Sequence, residues 1–400
     1  MENLYGYILK CCSNVKFVKV RLDVPLLRKY RHTEMKLLAR RAERLCVKPS
    51  EDPTRLIEHI DLYAKVNNID LFGGESGKKY DTLFLDTDFA DSSAGCYRKL
   101  KNRVEQVSLV DEKVLSIVSK SACSVVFKTK SRSSNIRYSP IPIKYCPMWV
   151  RKAFFPEPEK YMFVYFDVVT AEFAHLLMCV NFDKYYPLYE SKDIYNYIQH
   201  ELGINAPRDL VKQFSMAMIC GGTYKVAQTL LRMTVDHAKD TVQSFWELFP
   251  DVQEHLEQVW MKVKLTSHDL ELSNGLALVW VNNFKQEEDF EVFRRKILST
   301  YVRDSFVAYF ARYIKGLHQR ISQLQYIDKR YQGFAYLWVD CALIPIPITI
   351  SLNRIQPVFN CDDQVLKLKI TKGNAWGDAQ ESNDYLVTMT GGGKHVIGWT

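Results

Sequence analysis

The sequence predicts an α+β fold, in which amphipathic helices pack around strands that come from distant parts of the chain. Two apolar runs without a helical period, YMFVYF (161–166) and FAYLWVDCALIPIPITI (334–350), are typical of buried strands. LKLKITKG (366–373) is a further strand by the same criteria. Apolar residues at helical spacing dominate 26–46 and long stretches between 193 and 325, which predicts helices there.

The N-terminal part of the chain predicts a basic helix followed by polar segments. Residues 26–46 carry basic residues between apolar ones, and this basic face is either solvated or lies along a nucleic-acid backbone. Residues 68–103 are polar and glycine-rich, which predicts a loop. Residues 109–120 predict a short helix with two acidic residues in its first turn, and 128–149 predict an irregular basic segment.

The remaining elements follow from the same periodicities. Helices are predicted from 170, over 193–202 and 208–232, as two helices in 236–263 that Pro250 separates, and over 290–325, with a hairpin element in 273–283. The two strands within 334–350 flank a turn. Along the sequence, the predicted strands therefore lie before and after a long helical region.

The composition limits the classes of protein that fit. The chain has 400 residues, and 54 Lys and Arg against 46 Asp and Glu give a net charge of +8, which favours phosphate-bearing partners. Its 10 cysteines form no CxxC pair, so neither a zinc finger nor a disulfide framework is indicated, and a reducing, cytoplasmic compartment fits. No stretch approaches ~18 continuous apolar residues and no signal-peptide core is visible, so we expect no membrane association and no secretion.

Three carboxylates lie next to apolar runs. Asp167 ends the first predicted strand, Glu172 lies in the apolar run that follows, and Asp340 lies at the turn between the two later strands. A carboxylate at a buried position has to find a cation, a donor or water. Taken singly, an acid at a hairpin tip is most often only a turn residue.

A cationic helix lies between these acids in the sequence. RDLVKQFSMAMICGG (208–222) places Arg208, Lys212, Met216 and Cys220 four residues apart, along one face of a helix. This face is either a solvated surface or a nucleotide site, in which the cations meet a triphosphate and the other side chains meet the base and sugar. Two acids at strand ends with such a helix are what two-metal phosphoryl transfer requires.

These motifs, taken in order, resemble the polymerase region of family A DNA polymerases, the bacterial polymerase I type. RKAFFPEPEKYMFVYFDVVTAEFAHLL is similar to the first motif, which implies that Asp167 binds metal and that Glu172 is the steric gate against ribose. RDLVKQFSMAMICGG resembles the fingers helix, with Arg208 and Lys212 as triphosphate-binding cations. LWVDCAL resembles the third motif, with Asp340 as the second catalytic aspartate and metal ligand.

Weaker similarities extend the resemblance over about 15 to 380. VRLDVPLL and LVDEKVLSIV resemble landmarks of the thumb, SNIRYSP resembles an element in which Arg137 approaches the primer-template, and ESKDIYNYI and KITKGNAWGDA resemble later landmarks. The resemblance implies a right-hand polymerase with helical thumb, antiparallel palm sheet and helical fingers. The implied parts are a thumb and N-terminal segment (1–137), palm (138–180 and 291–380), fingers (181–290) and a C-terminal tail (381–400).

The resemblance also implies a function. The expected activity is template-directed addition of dNTPs to a primer 3′ end, with two Mg²⁺ ions, or Mn²⁺ in their place, as cofactors. Lys212 would also take part in catalysis. The expected partners are primer-template DNA and dNTPs. Only 19 residues precede VRLDVPLL, so we expect proofreading to come from a separate exonuclease or to be absent, as in a phage, viral or plasmid enzyme.

Several positions depart from the family pattern. Met216 and Cys220 replace aromatic residues beside the nucleotide, and Tyr195 replaces a histidine. Val339 and Cys341 flank Asp340 where the family has His and Glu. Arg303 and Ser299 fall near a Gln and an Asn of the family that contact the primer-template. These changes bear on rate, fidelity and sugar discrimination.

Three alternatives remain from the sequence. A single-subunit RNA polymerase shares the fold, although Glu172 favours dNTPs. A reverse transcriptase would use the same fold on RNA templates. A catalytically weak, nucleic-acid-binding relative is the third, although both aspartates and both cations are present.

Overall fold

A computed structural model describes most of the chain. The described residues are 11, 20–69, 93–112, 147–156, 160–266, 269–273, 277–279, 290–323, 333–359, 366–383 and 385–390. Arg137, predicted to contact the primer-template, lies outside them, as does most of the predicted irregular segment.

Helices near the N-terminus form one apolar cluster. The elements are β1 (Val20–Leu22), α1 (Val24–Arg44), α2 (Pro53–Val66) and α3 (Ser93–Val110). Aspartate side chains cap the N-termini of α1 and α2. The Asp23 carboxylate accepts from the Leu26 amide at 2.9 Å, and the Asp52 carboxylate accepts from the Thr54 amide at 2.9 Å. Buried residues from all three helices, such as Leu38, pack together in a cluster that we call the N-terminal core.

The third of these helices corrects one prediction. Residues 93–103 were expected to be part of a loop, but they form the first part of α3, because buried Leu100, Val104 and Val107 recur at helical spacing beneath a polar outer face. A π-helical turn continues α3 through Asp111 and Glu112, and the rest of the helix predicted over 109–120 lies outside the described residues. The Asp111 carboxylate accepts from Arg31 Nη2 at 2.6 Å, which ties the end of α3 to α1.

A second set of helices occupies the middle of the chain. The elements are α4 (Met148–Arg151), β2 (Phe154–Pro156), β3 (Tyr161–Val168), α5 (Ala171–Val180), α6 (Phe182–Ser191), α7 (Ile194–Glu201), α8 (Arg208–Ile219), α9 (Tyr224–Leu230), α10 (Val235–Leu248), α11 (Pro250–Thr266), β4 (Asp269–Glu271), β5 (Ala277–Val279) and α12 (Phe290–Gln323). The predicted break at Pro250 and the long helix from 290 are confirmed. Phe173, Phe245 and Phe249 lie at the centre of this set, with ring centroids 5.3 Å apart for Phe173–Phe249 and 5.4 Å apart for Phe245–Phe249.

The helical segment 208–232 is interrupted where α8 ends. Gly221 has a φ of 83°, in the left-handed region that glycine adopts most easily, and the Gly222 amide donates to the Ala217 carbonyl at 2.7 Å. A Cβ on Gly221 would lie 3.2 Å from Leu298 of α12. The end of α8 therefore rests directly on α12.

The main sheet has five antiparallel strands among the described residues. Its remaining elements are β6 (Tyr336–Leu337), β7 (Cys341–Pro347), α13 (Leu352–Phe359), β8 (Leu366–Gly373), α14 (Trp376–Glu381) and β9 (Tyr385–Thr390). The strand order is β6–β7–β3–β8–β9, so β3 lies in the middle. The predicted strands at 161–166, 334–350 and 366–373 are confirmed, and β9 extends the sheet within the segment expected to be a tail.

The long helix α12 belongs to two cores. Its first half packs with the middle helices, and its second half packs behind the sheet, where the rings of Phe310 and Tyr313 lie 6.4 and 6.1 Å from that of Phe166 on β3. None of the helices in the described ranges is long and apolar enough to cross a membrane.

Two leucine-to-alanine changes in helices test this arrangement. Leu317 on α12 is fully buried and Leu37 on α1 is 54% exposed. We expect Leu317→Ala to lower the free energy of unfolding by about 2–5 kcal/mol, because it leaves a cavity behind the sheet. Leu37→Ala should change it by less than about 0.5 kcal/mol. Urea unfolding followed by circular dichroism measures both, and equal effects would contradict the packing of α12.

Candidate active site

The pairing of two strands brings Asp167 and Asp340 together. Asp167 of β3 lies opposite Cys341 of β7, and the Val168 amide donates to the Asp340 carbonyl at 2.9 Å. The Trp338 amide donates to the Cys341 carbonyl at 2.8 Å, which closes the predicted hairpin with Asp340 at its tip. The ligand atoms of Asp167, Asp340 and Cys341 all lie within 4.8 Å of one another.

The two aspartates are costly to keep ionised together. Burial and, next, the nearby Asp340 charge raise the pKa of Asp167 to about 7, while Lys212 opposes the rise. Burial also raises the pKa of Asp340, against the effects of the Cys341 thiol and Lys212. A cation between the carboxylates would relieve this repulsion. Paired carboxylate oxygens are ligands that Mg²⁺ and Mn²⁺ prefer, so the donor set fits such ions.

Glu172 faces the same charged region. It lies in the first turn of α5, after Thr170, whose φ of 58° is in the left-handed region and costs about 1–2 kcal/mol for a residue with a Cβ. Burial raises the pKa of Glu172, as does the charge of Asp340, whereas Lys212 and Arg303 lower it. The strained turn therefore brings Glu172 into electrostatic contact with the aspartates.

The two cations of α8 have different surroundings. Lys212 is exposed, and its charge acts on all three carboxylates. Arg208 forms an ion pair with Asp193, with Nη2 2.5 Å from Oδ2, and its guanidinium lies 5.2 Å from the ring centroid of Tyr195. Asp193 also caps α7, because its Oδ1 accepts from the Tyr195 and Asn196 amides at 3.0 Å each. The charge of Lys212 thus acts on the site, while Arg208 is held by Asp193.

The other residues of the predicted nucleotide site lie around these groups. Tyr195 is buried, with 2% of its surface exposed, and Met216 packs partly buried against the middle helices. Cys220 ends α8, where burial and the neighbouring Glu172 charge raise its pKa to about 12 while Arg303 opposes the rise. Glu172, Cys220 and Arg303 therefore share one neighbourhood.

The predicted primer-template residues of α12 make local contacts. Arg303 Nε donates to Asp304 Oδ1 at 2.8 Å, and the Ser299 hydroxyl donates to the Lys296 carbonyl at 3.1 Å. They lie one turn apart on the helix that supports the end of α8. Their contact with nucleic acid stays a prediction.

Two residues near Asp167 were missed by the sequence reasoning. Lys369 of β8 lies opposite Asp167 on the side away from Cys341, and its charge lowers the pKa of that carboxyl. The Tyr165 hydroxyl makes a long hydrogen bond of 3.5 Å to Asp167 Oδ1. The alternation in LKLKITKG already places Lys367 and Lys369 on one face of a strand, so the pattern held a signal for a cation.

Comparison with known proteins identifies the fold. No model of a protein family matches the chain, and no curated protein matches it in sequence. The structure is similar to the POL domain of Pol1 from M. smegmatis in complex with DNA primer-template and dNTP, with a TM-score of 0.69 and 12% sequence identity. The similarity covers 94% of this chain and 70% of that chain. The expected α+β polymerase fold is therefore confirmed.

Proposed function

We propose that this chain is a DNA-directed DNA polymerase of the family A type, a nucleotidyltransferase that adds dNTPs to a primer 3′ end. The observation that carries the proposal is that ligand atoms of Asp167 and Asp340 lie within 4.8 Å of one another at the ends of paired strands, where the charge of Lys212 acts on both. The solved POL domain of the same fold was in complex with DNA primer-template and dNTP, which supports these partners.

The proposal assigns parts of a right hand to the cores. The helices of the N-terminal core would be the thumb, the main sheet with α5 and α12 the palm, and the helices between 181 and 290 the fingers. In this reading β3 and the β6–β7 hairpin carry the metal-binding carboxylates, and α8 lies over the nucleotide.

Asp167 and Asp340 would hold the divalent cations. When bound, two such cations lower the pKa of an attacking hydroxyl and neutralise charge that develops on the phosphates. The carboxylates fix where the primer end and the α-phosphate meet, because they are immobilised by the sheet. Phosphoryl transfer needs little from a protein besides positioning and charge stabilisation, so this rigidity is the main contribution of the strands.

The remaining side chains would position the nucleotide. Lys212 forms no ion pair with the residues that the structure describes, so its ammonium would be available to the phosphates, whereas Arg208 would have to exchange Asp193 for a phosphate. Glu172 would stand beside the sugar and exclude a 2′-hydroxyl, because the hydroxyl would displace the carboxylate or face a desolvated anion. Primer extension on DNA and RNA templates with dNTPs or rNTPs distinguishes this proposal from an RNA polymerase or a reverse transcriptase.

Replacing either aspartate tests the metal site. Asp167→Ala and Asp340→Ala should each lower Mg²⁺-dependent primer extension by about 10³-fold or more, because each change removes a carboxylate that would hold the divalent cations. Duplex affinity should change little, since phosphate contacts by basic residues dominate it. Primer extension and fluorescence anisotropy measure the two quantities, with the exposed Asp236→Ala as the matched control. Primer extension equal to that of wild type in either variant would contradict the assignment of that aspartate as a metal ligand.

The cations of α8 give a second prediction. Lys212→Ala should raise the KM for dNTP and lower kcat, because charge on the leaving phosphates grows in the transition state. Arg208→Ala should mainly raise KM, and Lys225→Ala, an exposed lysine of α9, is the control. Steady-state single-nucleotide insertion measures all three. If only primer-template affinity changed, α8 would not be the triphosphate-binding helix.

Sugar discrimination gives a third prediction. Glu172→Ala should raise the kcat/KM for ATP relative to dATP opposite template T, because an open pocket rejects an added hydroxyl by only ~10²-fold. Cys220→Tyr should lower this ratio by restoring a larger neighbour for Glu172. The kcat/KM ratios of the three proteins measure this effect. A ratio unchanged in Glu172→Ala would show that the carboxylate is not a gate.

A further inference from the structure

The thiol of Cys341 shares the metal-binding face with the two aspartates. Cys341 lies directly opposite Asp167 in the antiparallel register, and side chains of such a pair project to the same face with Cβ atoms about 4.5–5.5 Å apart. The residue is 7% exposed, and its sulfur lies within 4.8 Å of a carboxylate oxygen of both Asp167 and Asp340. Family A polymerases, which the sequence around this site resembles, have Glu at the position of Cys341.

The thiol lies beside the carboxylates. Cys341 forms no disulfide, and its sulfur is within 4.8 Å of a carboxylate oxygen of each aspartate. Its place in β7, opposite Asp167, fixes the backbone. The donor set at this point of the sheet is therefore two carboxylates and one sulfur.

A single cation can bridge these three groups with little movement. Bonds of about 2.0–2.3 Å to oxygen and sulfur place tetrahedral ligand atoms about 3.4–3.8 Å apart. The present separations of up to 4.8 Å need a contraction of about 1 Å, which side-chain rotation supplies. The fourth position would remain for water or substrate.

Sulfur changes which cations such a site prefers. Mg²⁺ selects oxygen ligands, whereas thiolate strongly favours softer cations such as Zn²⁺ and Cd²⁺. An aspartate pair alone offers these softer ions only hard oxygen ligands. A sulfur beside the pair therefore adds affinity for them and adds little for Mg²⁺.

We propose that Cys341 is a third ligand at the aspartate pair, which makes this site a high-affinity site for thiophilic divalent cations. The inference deepens the proposed function, because it concerns the same metal site. On binding, the thiol proton is released to solvent as the metal–sulfur bond forms, and no group is oxidised or reduced. A Zn²⁺ or Cd²⁺ ion held there would compete with Mg²⁺ and arrest the polymerase.

Cadmium titration of the reduced, metal-free full chain tests the proposal. Cadmium–thiolate bonds give an ultraviolet charge-transfer band, and the difference between wild type and Cys341→Ser isolates the band of this sulfur from those of the other cysteines. We expect the difference titration to saturate at one Cd²⁺ per chain. The affinity of this site for Cd²⁺ should be about tenfold or more lower in Cys341→Ser than in wild type. Cys46→Ser, which removes an exposed thiol, is the matched control and should leave this site unchanged.

The aspartates decide whether the sulfur acts within the cluster. In the double variant Asp167→Asn, Asp340→Asn, the charge-transfer band of the Cys341 sulfur should appear only at a Cd²⁺ concentration about tenfold or more above that needed by wild type. Equal Cd²⁺ binding by wild type and Cys341→Ser, or by wild type and the double variant, would overturn the proposal. Cadmium-113 NMR of unsubstituted protein supplies a test independent of variant folding, because a signal of mixed oxygen and single-sulfur ligation is expected and its absence at saturation would contradict the site.

The same preparation separates this inference from the proposed function. Mg²⁺-dependent primer extension by wild type is measured in parallel. Absent extension with the cadmium site present would refute the polymerase and leave the site. Normal extension with no difference between wild type and Cys341→Ser in cadmium binding would refute the site and leave the polymerase.

Discussion

The antiparallel register of β3 against β7 is the constraint on which the candidate site depends. Side chains on a strand alternate between faces, so a slip of one residue would turn Asp167 away from Asp340 and bring Phe166 to the site. The Val168 amide bond to the Asp340 carbonyl and the burial of Phe166 against α12 oppose such a slip. The positions of Asp167 and Asp340 are thus set in part by apolar packing on the opposite face of the sheet.

Three carboxylates lie close together at this point, and the elements around them supply cations that oppose their charge. Asp167, Asp340 and Glu172 all have raised pKa values because they are partly withdrawn from water. Their charges are opposed by Lys212 of α8 and by further cations on β8 and α12. Helices of the middle set and strands of the main sheet are therefore coupled through one electrostatic centre.

Local sequence patterns predicted most of the fold and the acids of the site. The strand before Asp167, the hairpin around Asp340 and the helix that carries Lys212 all have strong periodicity, so their positions follow from the sequence alone. The helix 93–110 was missed because its apolar residues are separated by basic ones, and the ion pair of Arg208 with Asp193 depends on how two helices meet. Lys369 needed the strand register, which no local pattern contains.

The central position of β3 also has a consequence for how the protein folds. Both of its neighbours, β7 and β8, are encoded far downstream, and the middle helices are formed by the chain between them. Pairing over such sequence distances is slow, because the chain between the strands loses conformational entropy before the stabilising contacts form. During synthesis β3 therefore emerges before either of its partner strands, so the main sheet can cover the apolar side chains of Tyr161–Val168 only after the segment that ends at Gly373 has also been made.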